Sequence, residues 1–204
     1  ISGLDSDDEV TVAFERITDD TGLPFADVAP ASWYHDAVQY VYENGMMNGT
    51  SDTLFSPDAT VTRAMIVTIL HRLENAPASA ASGFTDVAAG MYYADAVDWA
   101  AANGIVNGVS ETAFAPDDRI TREQMAAILY RYAQFKGYDV TASADLGAYT
   151  DAAQISAYAT AAMQWANENG LITGNTGTTL NPKGHATRAE AATILMRFCQ
   201  DTAA

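Results

Sequence analysis

Six of the ten basic residues in this 204-residue chain fall into two matched triplets. Arg63, Arg122 and Arg188 each follow a threonine: Thr62, Thr121 and Thr187. A Thr before an apolar-periodic run is a helix N-cap, which puts each Arg in a first helical turn. A cation there opposes the helix dipole by about 0.3–1 kcal/mol, so its threefold occurrence calls for a compensating anion. A guanidinium matches carboxylate geometry bidentately. Two anions fit. One is a buried ion pair with the chain's own carboxylates, for which Asp27, Asp86 and Asp151 are the candidates. The other is an anionic ligand, helped by free N–H groups at the helix start. The chemistry leaves both open.

The second triplet, Arg72, Arg131 and Arg197, lies nine residues further along each segment. Nine residues is two and a half turns, so the two sets face opposite sides of their helices. A cation near a helix C-terminus is favoured, and a structural role suffices for this set.

Three aromatic residues, Trp33, Tyr92 and Tyr158, open another set of segments. They suit stacking on a sugar face or plugging a core. Tyr40, Trp99 and Trp165 form a further matched set with the same two readings. Gly45, Gly104 and Gly170 each follow an Asn and read as helix stops that leave backbone N–H groups open to a ligand. Thr121 with Gln124 and Thr187 with Glu190 read as capping boxes, which assigns Glu190 to capping rather than acid catalysis.

No catalytic constellation accompanies them. His35, His71 and His185 occupy unrelated positions, and there is no His-Glu-x-x-His, Gly-x-Ser-x-Gly or phosphate-binding Gly loop. No Asp-x-Asp-x-Asp-Gly calcium loop occurs, and the lone Cys199 permits neither an internal disulfide nor a Cys-x-x-Cys site. The expectation is a non-enzyme without metal or cofactor.

What positions these residues is a triplication. Phe25-Ala-Asp27-Val28 recurs 59 residues on as Phe84-Thr-Asp86-Val87, and Thr62-Arg63 recurs at the same offset as Thr121-Arg122. A further 66 residues carries Thr121-Arg122 onto Thr187-Arg188 and Asn103-Gly104 onto Asn169-Gly170. Each copy reads as helix, loop, helix. The first helices carry apolar stripes such as Tyr34, Ala37, Val38 and Val41; the second, stripes such as Ile66, Ile69, Leu70 and Leu73. A unit of about 50 residues is marginal alone, so the expectation is an all-α fold. Three such repeats would bury their apolar stripes in a common helical core, with pseudo-threefold symmetry a natural solution. The repeats are placed at 24–75, 84–134 and 146–200. Residues 75–83 and 134–147 are read as linkers.

Residues 1–23 stand apart. Val10, Val12 and Phe14 alternate as in a strand, among seven acids and one Arg. They are read as a linker or the tail of a preceding domain, which makes the chain the C-terminal piece of a larger protein. The whole chain is acidic, with 26 acids against 10 bases and a net charge of −16. That excludes a general nucleic-acid binder and disfavours anionic membranes. No apolar run is long enough to span a bilayer, and no signal peptide is visible.

The assembled pattern is Phe-x-Asp-Val, Trp-Tyr-x-x-Ala-Val, Asn-Gly, Gly, Phe-x-Pro, Thr-Arg-Ala, Leu-x-Arg. It resembles the S-layer homology domain in three tandem copies, from Phe25 to about Cys199. The resemblance implies three helix-loop-helix repeats packed as a pseudo-threefold trimer around a central helical bundle, a module that anchors exported proteins non-covalently to the bacterial cell wall. It implies secondary cell-wall polysaccharide, often pyruvylated, bound in grooves between repeats. The motif arginines Arg63, Arg122 and Arg188 would enter those grooves. Trp33, Tyr92, Tyr158, Asp27, Asp86, Asp151, Gly45, Gly104 and Gly170 complete the expected glycan site. The implied location is extracellular, in the cell wall or S-layer. Only Thr187-Arg188-Ala189-Glu190 keeps the family's full Thr-Arg-Ala-Glu motif; repeat one has Met65 and repeat two Gln124 in the last place. The grooves are therefore expected to be unequal. The rival reading is a protein–protein module for surface-layer assembly, which predicts self-association.

Overall fold

The computed structural model describes residues 22–174 and 177–202. The strand expected at 10–14 lies outside them. Six α-helices form three pairs: α1 (His35–Glu43) with α2 (Arg63–Leu73), α3 (Ala94–Ala102) with α4 (Arg122–Lys136), and α5 (Thr160–Glu168) with α6 (Arg188–Arg197). Among the described residues there is no β-sheet, only three isolated antiparallel bridges. The fold is the expected helical repeat.

Local sequence sets the helix ends. The first helix of each pair stops at Asn-Gly. Gly45, Gly104 and Gly170 take φ of 65–68°, a conformation costly for a residue with a Cβ. Their N–H groups bond Tyr42, Ala101 and Asn167 carbonyls. The residues that follow, Met46, Ile105 and Leu171, reach back to Val41, Ala100 and Ala166 at 2.8 Å. These two bonds make a Schellman stop and satisfy the last carbonyls. They also use the glycine N–H groups, so those donors are not left open to a ligand as expected.

The second helices start at a Thr cap. Thr62, Thr121 and Thr187 accept from Met65, Gln124 and Glu190 amides, and Gln124 and Glu190 complete capping boxes. α4 runs on past Gln134 to Lys136 because Ala133 is fully buried and a good stop, Gly137 at φ 71°, comes only afterwards.

The repeats join at two levels. The apolar stripes pack α2 against α3, α4 against α5, and α6 back against α1, closing a ring. Inside the ring the segments before the second helices exchange backbone bonds in a cycle. Val61 N–H donates to Ala186 (3.1 Å), Ala186 N–H to Ile120 (3.0 Å), and Ile120 N–H to Val61 (3.0 Å). All three residues are fully buried. The cycle satisfies donors that no helix serves, at the point where the repeats meet.

Candidate ligand-binding grooves

Each N-terminal arginine crosses to another repeat. Arg63 Nε donates to the Phe114 carbonyl (2.9 Å), Arg122 Nε to Leu180 (2.9 Å) and Arg188 Nε to Phe55 (2.7 Å). Arg63 and Arg188 also donate to the Asn107 and Asn48 carbonyls. Their guanidinium carbons lie 4.7 Å over the Phe114 ring and 4.4 Å over Phe55, a cation–π geometry. Arg122 meets Leu180 instead. All three arginines are buried, and burial lowers their pKa values from the ordinary guanidinium value. Carbonyl dipoles and ring faces thus offset a cation at the unfavourable helix end.

Two expectations about these helix starts need correction. The first-turn amides are not free for an anion. Arg63 and Ala64 N–H groups donate to Asp118 and Pro116 carbonyls. Arg122 and Glu123 donate to Gly184 and Pro182, and Arg188 and Ala189 to Ala59 and Pro57. Nor do Asp27, Asp86 and Asp151 pair directly with the arginines; the Arg122–Glu190 contact, at 3.2 Å, is the one ion pair these arginines make among the described residues. Each of the three aspartates instead accepts two consecutive backbone amides at 2.7–2.9 Å: Phe55 and Ser56, Phe114 and Ala115, Leu180 and Asn181. Ser56, Ala115 and Asn181 have positive φ, a strained geometry for these residues. The carboxylates hold the turn that presents a carbonyl to each arginine. Burial alone would raise the Asp86 carboxyl, but its amide bonds and Arg63 outweigh it and hold it below the usual range.

Three concave grooves result, and each draws on all three repeats. The first is walled by Met46, Met47 and Asn48 from the loop of repeat one and by Met65, Ile69 and Arg72 from α2. Arg188 enters from repeat three and Tyr92 from repeat two; the cavity is about 210 Å³. The second has Val106, Asn107 and Gly108 with Gln124, Ile128 and Arg131. Arg63 comes from repeat one and Tyr158 from repeat three, around about 440 Å³. The third has Leu171, Thr173 and Gly174 with Glu190, Ile194 and Arg197. It takes Arg122 from repeat two and Trp33 from repeat one, and also measures about 440 Å³.

The second arginine triplet therefore does more than favour helix ends. Within one helix the two arginines do face apart, yet the ring brings Arg72 beside Arg188, Arg131 beside Arg63, and Arg197 beside Arg122. Arg72 and Arg131 make no hydrogen bond or ion pair among the described residues, whereas Arg197 donates to the Gly170 carbonyl (3.0 Å). A signal existed in the sequence: this triplet keeps the same 59- and 66-residue offsets as the first.

The opening aromatics are not core plugs. Trp33, Tyr92 and Tyr158 are 67%, 61% and 54% exposed at the groove edges. Trp33 and Tyr92 meet the following tyrosines edge-on, at 5.3 and 5.0 Å. Tyr158 is held differently: its hydroxyl donates to Glu123 Oε1 at 3.1 Å. The buried Glu123 also accepts from Ser156 (N and Oγ) and from Lys183 Nζ (2.7 Å). Burial would raise the Glu123 carboxyl, but Lys183, Ser156 and Tyr158 together hold it below its ordinary value. Burial and that carboxylate push the Tyr158 phenol up to about 12. The other aromatic set belongs to the core, where Trp99 and Trp165 are buried. Among the described residues no group of acids, histidines or cysteines is arranged to hold a metal ion.

Comparison with known proteins follows the same triplication. The sequence profile of the S-layer homology domain matches residues 24–64, 83–126 and 148–192. An amylopullulanase of Thermoanaerobacterium thermosulfurigenes is 35% identical over 169 residues, which is 80% of this chain and 9% of that protein. An endoglucanase of Bacillus sp. (strain KSM-635) is 35% identical over 85% of this chain and 18% of its own length. A surface-layer 125 kDa protein of Lysinibacillus sphaericus is 32% identical over 81% of this chain and 14% of its own. The chain thus spans less than a fifth of each of these relatives.

Proposed function

From a chain that belongs to the S-layer homology family, we infer a cell-wall anchor that binds an acidic, pyruvate-bearing wall polysaccharide in its three grooves. It tethers the protein of which it is part to the outside of a bacterial cell without a covalent bond. The observation that carries this reading is the convergence, in every groove, of two guanidinium groups and one exposed aromatic ring from three different repeats. Two guanidiniums suit a carboxylate, and each charge-assisted hydrogen bond contributes about 1.5–3 kcal/mol. An aromatic edge suits the C–H face of a sugar ring. Asp27, Asp86 and Asp151, with Gly45, Gly104 and Gly170, serve by shaping the loops around the grooves. An amylopullulanase and a surface-layer protein both carry a segment similar to this chain, as a general tether would be shared.

A net charge of −16 works against an anionic polymer at long range. Screening beyond about 8–10 Å at physiological salt leaves the local arginines to decide. Repeating ligand units across three grooves add avidity without new contacts. Calorimetry with purified wall polysaccharide tests this. Binding should weaken with chemically depyruvylated polymer and with Arg72→Ala and Arg131→Ala, which remove no described hydrogen bond. A folded chain that binds neither polymer would overturn the reading and favour a protein–protein module.

A further inference from the structure

We propose that the third residue of each groove helix, Met65, Gln124 or Glu190, sets which ligand its groove accepts. The first groove prefers a carboxylate carried on an apolar, methyl-bearing group, and the third prefers a sugar that presents hydroxyl or ammonium donors. The proposal rests on the reading of the grooves as anion sites and divides it among them.

The three residues occupy equivalent positions, and each lines its own groove. In the third groove Glu190 is fixed at both oxygens: Oε1 accepts from Arg122 Nη1 at 3.2 Å and Oε2 from the Thr187 amide at 3.0 Å. An incoming carboxylate must compete with Glu190 for Arg122 and lie beside a like charge. Specificity is commonly built from such a repulsive element. A hydroxyl or ammonium group meets an acceptor there instead. In the first groove the same place holds Met65, beside Met46 and Met47. Arg188 and Arg72 there face no acidic lining residue, and the thioethers offer a soft, adaptable apolar wall. The second groove is intermediate. Gln124 spends its Oε1 on the Thr121 amide at 3.0 Å and brings no charge.

The test uses two probes, a methyl glycoside bearing a pyruvate ketal and the same glycoside without it. Titration is followed by NMR at the Met47 methyl group for the first groove, the Tyr158 ring for the second and the Trp33 indole for the third. The expected result is at least tenfold tighter binding of the ketal probe by the first groove than by the third. Met65→Glu should weaken the first groove at least tenfold for that probe and leave the third within twofold. Glu190→Gln should tighten the third several-fold. Neither variant threatens the helix start, because Glu and Gln both complete a capping box at this position in the other repeats. Equal affinities in the wild-type grooves, or variants that leave them unchanged, would overturn the proposal while the anion-site reading stands. Absence of ketal-dependent shifts in every wild-type groove would remove that reading as well.

Discussion

At the centre of the molecule, Val61, Ile120 and Ala186 close a cycle of backbone bonds that differ by no more than 0.1 Å. At its rim, the three grooves share a plan but hold Met65, Gln124 and Glu190 at one position, and Tyr92, Tyr158 and Trp33 at another. The difference follows from which atoms make the contacts. A main-chain donor and acceptor survive any substitution that keeps the backbone path, so the junction stays symmetric while the sequence drifts. Groove contacts are made by side chains, and each substitution there changes what the groove can hold. Symmetry in this fold is a property of the junction, and asymmetry is available to the grooves.

The comparison can be broken hardest at the junction. Ile120→Ala removes a fully buried side chain from the meeting point of all three repeats and is expected to cost about 2–5 kcal/mol in chemical denaturation. A loss below 1 kcal/mol would show that the junction carries little of the stability. Gly108→Ala comes next. A Cβ there would lie 2.2 Å from the Ser110 carbonyl oxygen and 2.5 Å from that of Ala113. Because backbone has to move, the expected cost is about 1–3 kcal/mol by the same measurement.

Acid probes the seam between repeats two and three. Glu123 is held below its ordinary value, so its stabilisation is full above about pH 4.5 and is lost as pH falls through the depressed folded value. Urea midpoints of the wild type and Glu123→Gln, compared from pH 6 to pH 3, should converge toward the acid end. A constant gap would show that the charge is not what stabilises the seam. The smallest stability effect belongs to the rim. Arg131→Ala should change the unfolding free energy by no more than about 0.5 kcal/mol and yet weaken glycan binding by the second groove about tenfold. A stability loss comparable to that of Ile120→Ala would erase the distinction between junction and rim.

The helices, their stripes and their stops were legible because those signals are local. Val38 and Leu70 sit on a 3.6-residue period, and Asn44-Gly45 or Thr62 states its own boundary. The fold class followed from the triplication. What the sequence withheld was the order in which elements meet around the ring. Arg72 and Arg63 do point apart on α2, and no local pattern says that Arg188 arrives beside Arg72 from 116 residues away. The turn-holding role of the aspartates was hidden for a similar reason. The turns they hold place Ser56, Ala115 and Asn181 at positive φ without the glycine that would have announced it. Exposure of Trp33, Tyr92 and Tyr158 was likewise invisible, since an aromatic ring at a helix start suits a core equally well.

The bond from Arg188 to the Phe55 carbonyl spans 133 residues of sequence, and α6 closes on α1. Valency is consequently not divisible by repeat. A chain shortened by one repeat would not keep two grooves out of three, because every groove borrows an arginine from one neighbour and an aromatic edge from the other. The count falls from three to none, and the unit that duplication or shuffling can pass on intact is the whole triplet.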